Sequence, residues 1–298
     1  MIWSAFFAGA FLSTAVGEVT VTGKKAAAVT VHELATAAAM DAFKNGGNAV
    51  DAAIAAGLML GVVDGHNSGV GGGCFMLIRT PGGGIVALDG REMAGTAASR
   101  DMFVRNGKAD AGLSQTGALA AGVPGSLAVY DEAARKFGRL PLARALEGAA
   151  ERAENGFAIS PGYAARLKGV EKAMAAFPAS KAIFLNADGS ALRKGAVLKQ
   201  EDLAKSYRAI AREGIGWFYG GGFAAAAGKW MKENGGVLTV EDFRDYRLAV
   251  REPLRISYRG CEVVGFPPPS SGGVHVAEIL NILATREAGT FQNGSLED

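Results

Sequence analysis

The sequence predicts an α+β protein, and three observations carry that prediction. Two apolar runs, Cys74 to Arg79 and Ile85 to Asp89, are separated by a Pro81-Gly82-Gly83-Gly84 turn. Strands joined so tightly pair antiparallel, unlike the parallel strands of a doubly wound nucleotide-binding fold. Ala-rich stretches with helical periodicity flank this hairpin on both sides. Glycine supplies 43 of 298 residues, about twice its ordinary share of roughly 7%. With only 9 prolines and no Gly-X-Y period, these glycines must serve turns and close backbone approach.

The elements follow in order. Glu33 to Lys44 is free of Gly and Pro and reads as a helix, and Asn45-Gly46-Gly47 ends it as a left-handed cap would. Asn48 reads as the N-cap of a second helix, Ala49 to Leu60, with Asp51 near the positive end of its dipole. That helix is apolar nearly all round, so it should be buried, under a sheet. His66 to Gly73 is a loop leading into the hairpin. Residues 125–155 are helical with a break at Gly138 to Pro141, and roughly 160–250 is mostly helical with charged faces. Thr239 and Asp242 have the spacing of a capping box. Leu254 to Tyr258 and Glu262 to Phe266 form a second hairpin around Arg259-Gly260. Pro267-Pro268-Pro269-Ser270-Ser271-Gly272-Gly273 then leads into a helix from Val274 to Leu283. The Ser-Ser-Gly-Gly stretch is expected to form an N-cap and a tight backbone crossing. No repeat or linker divides the chain.

Composition excludes several classes. Hydrophobic residues make 49% and charged residues 20%, which is a globular balance and not a disordered one. A net charge of +2 gives no electrostatic case for nucleic acid. Cys74 and Cys261 cannot build a disulfide framework or a Cys-based zinc site. His32, His66 and His275 show no metal-ligand spacing. No metal or cofactor is therefore expected. Ile2 to Leu12 is too short to span a bilayer, and no stable membrane span is expected elsewhere. The run has the length of a signal-peptide core, followed by small residues at Ser13 to Gly17 but preceded by no basic residue. Residues 1–17 are read as a signal peptide, and the protein as exported (periplasmic or extracellular). It would be cytoplasmic if residues 2–12 are not a signal.

Among candidate chemistries, the Gly69 to Gly73 loop lacks the Gly-Lys-Ser/Thr ending and the following helix of a phosphate loop. Ser270 and Ser271 lack a nucleophile elbow, although His66 and His275 are available as bases. Arg91, just past the second strand of the hairpin, can clamp a carboxylate with two parallel hydrogen bonds. By itself it could equally be a local ion-pair partner of Asp89 or Glu92.

Six segments in order resemble the large subunit of γ-glutamyltransferases (glutathione hydrolases). They are Asn45 to Ala53 (NGGNAVDAA), His66 to Phe75 (HNSGVGGGCF), Leu88 to Ala94 (LDGREMA), Thr116 to Ser126 (TGALAAGVPGS), Gly235 to Tyr246 (GGVLTVEDFRDY) and Pro267 to Leu283 (PPPSSGGVHVAEILNIL). The resemblance implies an N-terminal-nucleophile hydrolase fold, an αββα four-layer sandwich, of which residues 18–298 would be the large-subunit part. It implies a proenzyme that cleaves itself, exposing a threonine that attacks the γ-glutamyl carbonyl of glutathione and related compounds. The threonine's own α-amino group would act as base. By the same resemblance Arg91 holds the substrate's α-carboxylate, Asp89 and Glu92 orient Arg91, and Asn67 and Ser68 line the pocket.

The nucleophile would lie beyond residue 298, since no Thr-Thr pair occurs in the chain. A small subunit is the expected partner, and the chain alone is expected to be inactive, with open sheet edges and bare apolar faces. Glu33, where the family usually has Pro, and Asp64-Gly65, where an acidic residue and Pro are usual, depart from its pattern. Two other readings stay open: a non-catalytic glutamyl-binding or partner subunit, and a glutaryl or cephalosporin acylase-like hydrolase.

Overall fold

A computed structural model describes residues 22–285. The apolar run 2–12, the leader read over 1–17 and the tail from 286 onward lie outside the described residues.

Helix α1 (Glu33–Lys44) starts where His32 Nδ1 accepts the Leu34 N–H. It ends at Gly46, whose φ is +85°. There the Gly46 N–H bonds the Phe43 carbonyl and the Gly47 N–H bonds the Ala42 carbonyl, closing the last turn in a Schellman motif. Asn48 and Asp51 form a full capping box opening α2 (Ala49–Val63). Strands β1 (Cys74–Arg79) and β2 (Ile85–Gly90) pair antiparallel from Cys74 opposite Gly90 to Arg79 opposite Ile85. The Thr80 N–H to Gly84 carbonyl bond, 2.8 Å, closes their turn. A small hairpin, β3 (Val104–Arg105) and β4 (Lys108–Ala109), precedes the short α3 (Ala111–Gln115). Helices α4 (Ser126–Phe137) and α5 (Leu142–Asn155) are separated by the expected break.

The middle is helical as expected. Between β5 (Phe157–Ala158) and its partner β6 (Val197–Leu198) lie α6 (Pro161–Ala175) and α7 (Pro178–Phe184). Then come α8 (Glu201–Glu213), α9 (Gly216–Tyr219), α10 (Gly222–Glu233) and α11 (Val240–Arg244). Strand β7 (Ala249–Arg251) returns to β2, giving an antiparallel sheet of order β1-β2-β7. Strands β8 (Leu254–Tyr258) and β9 (Cys261–Gly265) form a separate hairpin. Its turn residues Arg259 and Gly260 both have positive φ, the geometry that matches strand twist in a two-residue hairpin turn. Helix α12 (Ser271–Ala284) packs on that hairpin.

Two expectations need correction. Helix α2 is buried, but among α1, α4 and α5 rather than under the sheet; α4 is the helix that lies on β1 and β2. An all-apolar surface dictates burial without saying what does the burying. Helix α12 begins at Ser271, taking both glycines into its first turn, and Ser270 makes no side-chain cap bond. The tight crossing there is real. A Cβ on Gly273 would sit 2.2 Å from the Phe266 carbonyl oxygen.

The larger core joins α1, α2, α4, α5 and α8 through Ala39, Leu58, Leu127, Leu146, Tyr207 and Ile210. A smaller one gathers Val123, Ala224, Met231, Leu238, Phe243 and Tyr246. Its N-terminal seam is tied by Asp242, which is 8% exposed. The carboxylate accepts the Thr96 N–H, the Thr239 N–H and the Thr239 hydroxyl, each at 2.8 Å. Burial pushes its pKa up, but the hydrogen bonds from Thr96 and Thr239 outweigh that and leave it below the ordinary 3.8. A carboxyl held below its unfolded value stabilises fully above that value and loses the effect as pH falls through its folded pKa. Urea unfolding from about pH 5 to 2 is therefore expected to show a shallower acid limb in Asp242→Asn than in the wild type. Parallel limbs would refute the assignment.

Bare apolar faces are present. Val276, Ile279 and Ile282 of α12 are 49%, 55% and 62% exposed, and a cavity of about 210 Å³ opens between α12 and the β8–β9 hairpin. Strands β1 and β7 form the edges of the three-stranded sheet.

Candidate functional site

Four glycines bring three segments into contact near the end of β2. The Gly72 carbonyl accepts the N–H groups of Gly125 and Ser126 and the Ser126 hydroxyl. Added Cβ atoms show how close the backbones run. One on Gly90 would lie 2.8 Å from the Gly125 carbonyl, and one on Gly73 would lie 2.6 Å from the Gly90 carbonyl. The glycine-rich loop is thus a packing device, as its sequence suggests. Cys74 follows it. Burial above all pushes the Cys74 thiol up to about 11, which makes it a poor nucleophile.

Arg91 follows β2 directly. Its N–H donates to Asp89 Oδ1 at 2.9 Å and its carbonyl accepts the Tyr246 hydroxyl at 3.0 Å. Burial first, then the negative charge of Asp89, pushes the Tyr246 hydroxyl up to about 12, so it remains a donor. The backbone of Arg91 is held on both sides while its side chain is 66% exposed.

The groups expected to orient Arg91 do so differently than expected. Asp89 fixes its backbone, and the second oxygen of Asp89 goes to Arg251, at 2.9 Å from Nε and 2.8 Å from Nη2. Glu92 lies 3.6 Å from Arg91 Nε, but its firmer bond, 2.7 Å, accepts the Gly73 N–H. Glu92 therefore ties the glycine loop to the Arg91 segment.

Asn67 and Ser68 are anchored to Asp64 at the end of α2, not to Arg91. The Asn67 amide donates to both Asp64 oxygens at 3.3–3.4 Å, and the Ser68 N–H donates to the Asp64 carbonyl. His66 Nε2 is 3.2 Å from Asp64 Oδ1, and its ring meets Tyr163 edge-on. Burial, then the charge of Asp64, pushes the Tyr163 hydroxyl up to about 12. Among the described residues no serine hydroxyl bonds His66 or His275, so no serine triad assembles. No described group of three or more His, Cys, Asp or Glu could hold a metal ion. No described helix is long and apolar enough to cross a membrane. A cavity of about 260 Å³ opens between α1, α2 and α5, lined by Leu34, Ile54, Met59, Leu140 and Arg144, and Arg91 is not among its walls.

Sequence reasoning missed Tyr246 and Arg251. Each is far along the chain from Arg91, and the three-residue strand that carries Arg251 has no local pattern to announce it. Arg91 stands as an exposed, donor-rich group on a fixed backbone, suited to holding a carboxylate.

The model of the γ-glutamyltranspeptidase family matches residues 35–297. The glutathione hydrolase proenzyme of Escherichia coli K12 is 40% identical over 279 residues, covering 93% of this chain and 48% of that protein. The acylase ACY 1 proenzyme of Pseudomonas sp. V22 is 38% identical, covering 93% of this chain and 50% of the relative. The chain thus spans about half the length of the curated relatives it matches. The crystal structure of Helicobacter pylori γ-glutamyltranspeptidase is 36% identical with a TM-score of 0.90, over 93% of this chain and 80% of the other. The fold is that of N-terminal-nucleophile hydrolases. Matched over nearly all its length in sequence and in fold, the chain belongs to the γ-glutamyltranspeptidase family.

Proposed function

We propose that this chain supplies the substrate-recognition part of an enzyme that breaks γ-glutamyl amides such as glutathione. Arg91 would pair with the α-carboxylate of the glutamyl group. The observation that carries this reading is the exposed guanidinium of Arg91 on a backbone fixed at both its N–H and its carbonyl. A fixed backbone leaves only the side chain of Arg91 to be ordered when its planar fork forms two parallel bonds.

In this reading a threonine oxygen, supplied by the half of the relatives that this chain does not cover, attacks the γ-carbonyl. Its proton passes to the threonine's own α-amino group and then to the leaving amine. The resulting ester is opened by water or by an acceptor amine. An exported location belongs to the same reading, through the apolar run 2–12. The exposed face of α12 is where the half of the relatives that this chain does not cover would seat.

The test pairs two measurements. The 298-residue chain alone is expected to release no p-nitroaniline from γ-glutamyl-p-nitroanilide. Joined to the further half that its relatives carry, it is expected to do so, and Arg91→Ala should lower kcat/KM by about a hundredfold or more, the worth of a lost charged pair. Arg91→Lys should fall between. A loss under threefold would reject the role. The acylase relatives favour a second reading, and a preference for glutaryl-p-nitroanilide over the γ-glutamyl compound would select it.

A further inference from the structure

We propose that Arg251 and Tyr246 are positioning residues for carboxylate recognition, with Arg251 keeping Asp89 occupied so that Asp89 does not draw the Arg91 guanidinium away from substrate. The proposal rests on the carboxylate-binding role of Arg91.

The geometry is specific. Asp89 is 4% exposed, and a carboxylate so deeply placed requires a paired cation. Two arginines contact it. Arg251 reaches it with Nε at 2.9 Å and Nη2 at 2.8 Å, both on Oδ2. Arg91, two residues along, gives only its backbone N–H, to Oδ1. Each oxygen therefore has its own donor. Were Arg251 neutral, Asp89 would be a buried charge with a backbone N–H but no cation, and the cation on its own segment is the Arg91 side chain, which now lies 3.6 Å from Glu92. Its capture by Asp89 would remove the group that binds substrate, with Arg91 itself unchanged. Tyr246 acts on the same peptide from the other side by donating to the Arg91 carbonyl at 3.0 Å. Its ring is stacked on Tyr219 at 5.5 Å, and the Tyr219 hydroxyl in turn donates to the Pro124 carbonyl at 3.0 Å. The donor is thus held in place from the α4 side of the glycine crossing.

The experiment uses the whole chain and two nuclear magnetic resonance readouts. The first is the preference for L-glutamate over isoglutamine, its α-carboxamide analogue, by titration. A fold defect weakens both ligands alike, whereas a lost carboxylate contact weakens only glutamate. The second is the Arg91 Nε–Hε resonance without ligand, which reports capture by Asp89 directly.

In Arg251→Met the preference is expected to fall at least tenfold and the Arg91 Nε–Hε resonance to move downfield and become protected. Tyr246→Phe should lower the preference a few-fold. The double variant Asp89→Asn/Arg251→Met removes both charges and should recover the preference to within about threefold. Should Arg251→Met fail to fold, Arg251→Lys keeps the charge with fewer donors and should show the same changes at smaller size. An unmoved Arg91 resonance in the folded single variant, or a double variant no better than the single, overturns the proposal. Absence of any preference in the wild type would instead refute the Arg91 reading. The resonance would still decide whether Arg251 keeps Asp89 from capturing Arg91.

Discussion

Replacing Asp51 by alanine is expected to lower the stability of the chain by about 3 kcal/mol or more. Asp51 is 4% exposed and its two oxygens serve four bonds from three backbone N–H groups. They accept the Asn48 N–H at 2.8 Å, the Arg139 N–H at 3.0 Å to each oxygen, and the Leu140 N–H at 3.1 Å. One carboxylate thereby caps α2 and fixes the break between α4 and α5. Asn48 adds to the same junction through its side-chain amide, which donates to the Phe137 carbonyl at 2.6 Å. Alanine would leave those donors without an acceptor, each at a cost of about 1–3 kcal/mol. Asparagine should do little better, because its NH₂ would face N–H groups. Urea unfolding reads the effect as a lower midpoint at constant slope. An unfolding free energy within about 1 kcal/mol of wild type would mean that water replaces the carboxylate.

Gly125→Ala is expected to cost about 3 kcal/mol, at the upper end for overpacking, and to loosen the Arg91 backbone. The backbone angle is not the problem, since φ is −121°. The added methyl would sit 1.9 Å from the Tyr246 hydroxyl oxygen and 2.3 Å from the Gly90 carbonyl oxygen. The tyrosine could move, at the expense of its bond to Arg91, but the Gly90 carbonyl is backbone in the middle of the crossing. Gly148→Ala is the matched control. That glycine is exposed within α5 with nothing within 4 Å of its added Cβ, so alanine there should stabilise by about 0.5–1 kcal/mol. Opposite signs for the two substitutions in thermal melts would establish that the glycines serve different purposes. A destabilisation under about 1 kcal/mol at Gly125 would show that the crossing yields easily.

Local patterns were legible because they state their own ends. The Asn45-Gly46-Gly47-Asn48 run stops α1 and starts α2 within four residues, and the β1–β2 and β8–β9 hairpins declare their turns through Gly and Pro or through Arg259-Gly260. The antiparallel β1–β2 pairing followed from its short turn alone. Arg91 stood out as a candidate through its position at a strand end together with the family resemblance.

What stayed hidden was what each element packs against. Helix α2 is apolar on every side, so nothing in it distinguishes a helical neighbour from a sheet. Strand β7 has three residues, and two of them, Val250 and Arg251, are exposed, which leaves no alternation to read. Asp89 looked like a partner for the adjacent arginine because nearness in sequence is visible and nearness in space is not. The side chain that claims it lies 162 residues away.

That distance governs when the Arg91 segment takes shape during synthesis. The bonds that define it join residues 162, 155 and 146 positions apart: Arg251 to Asp89, Tyr246 to Arg91, and Thr96 to Asp242. At roughly 5–20 residues per second a ribosome needs on the order of ten to thirty seconds to deliver the later members. Helices α1 and α2 can close on each other well before then. Through that interval β2 lacks its β7 neighbour, Asp89 lacks its cation, and a strand edge stays open to wrong partners. The Arg91 segment is thus a late product of folding, completed only when partners made some 150 residues after it have emerged.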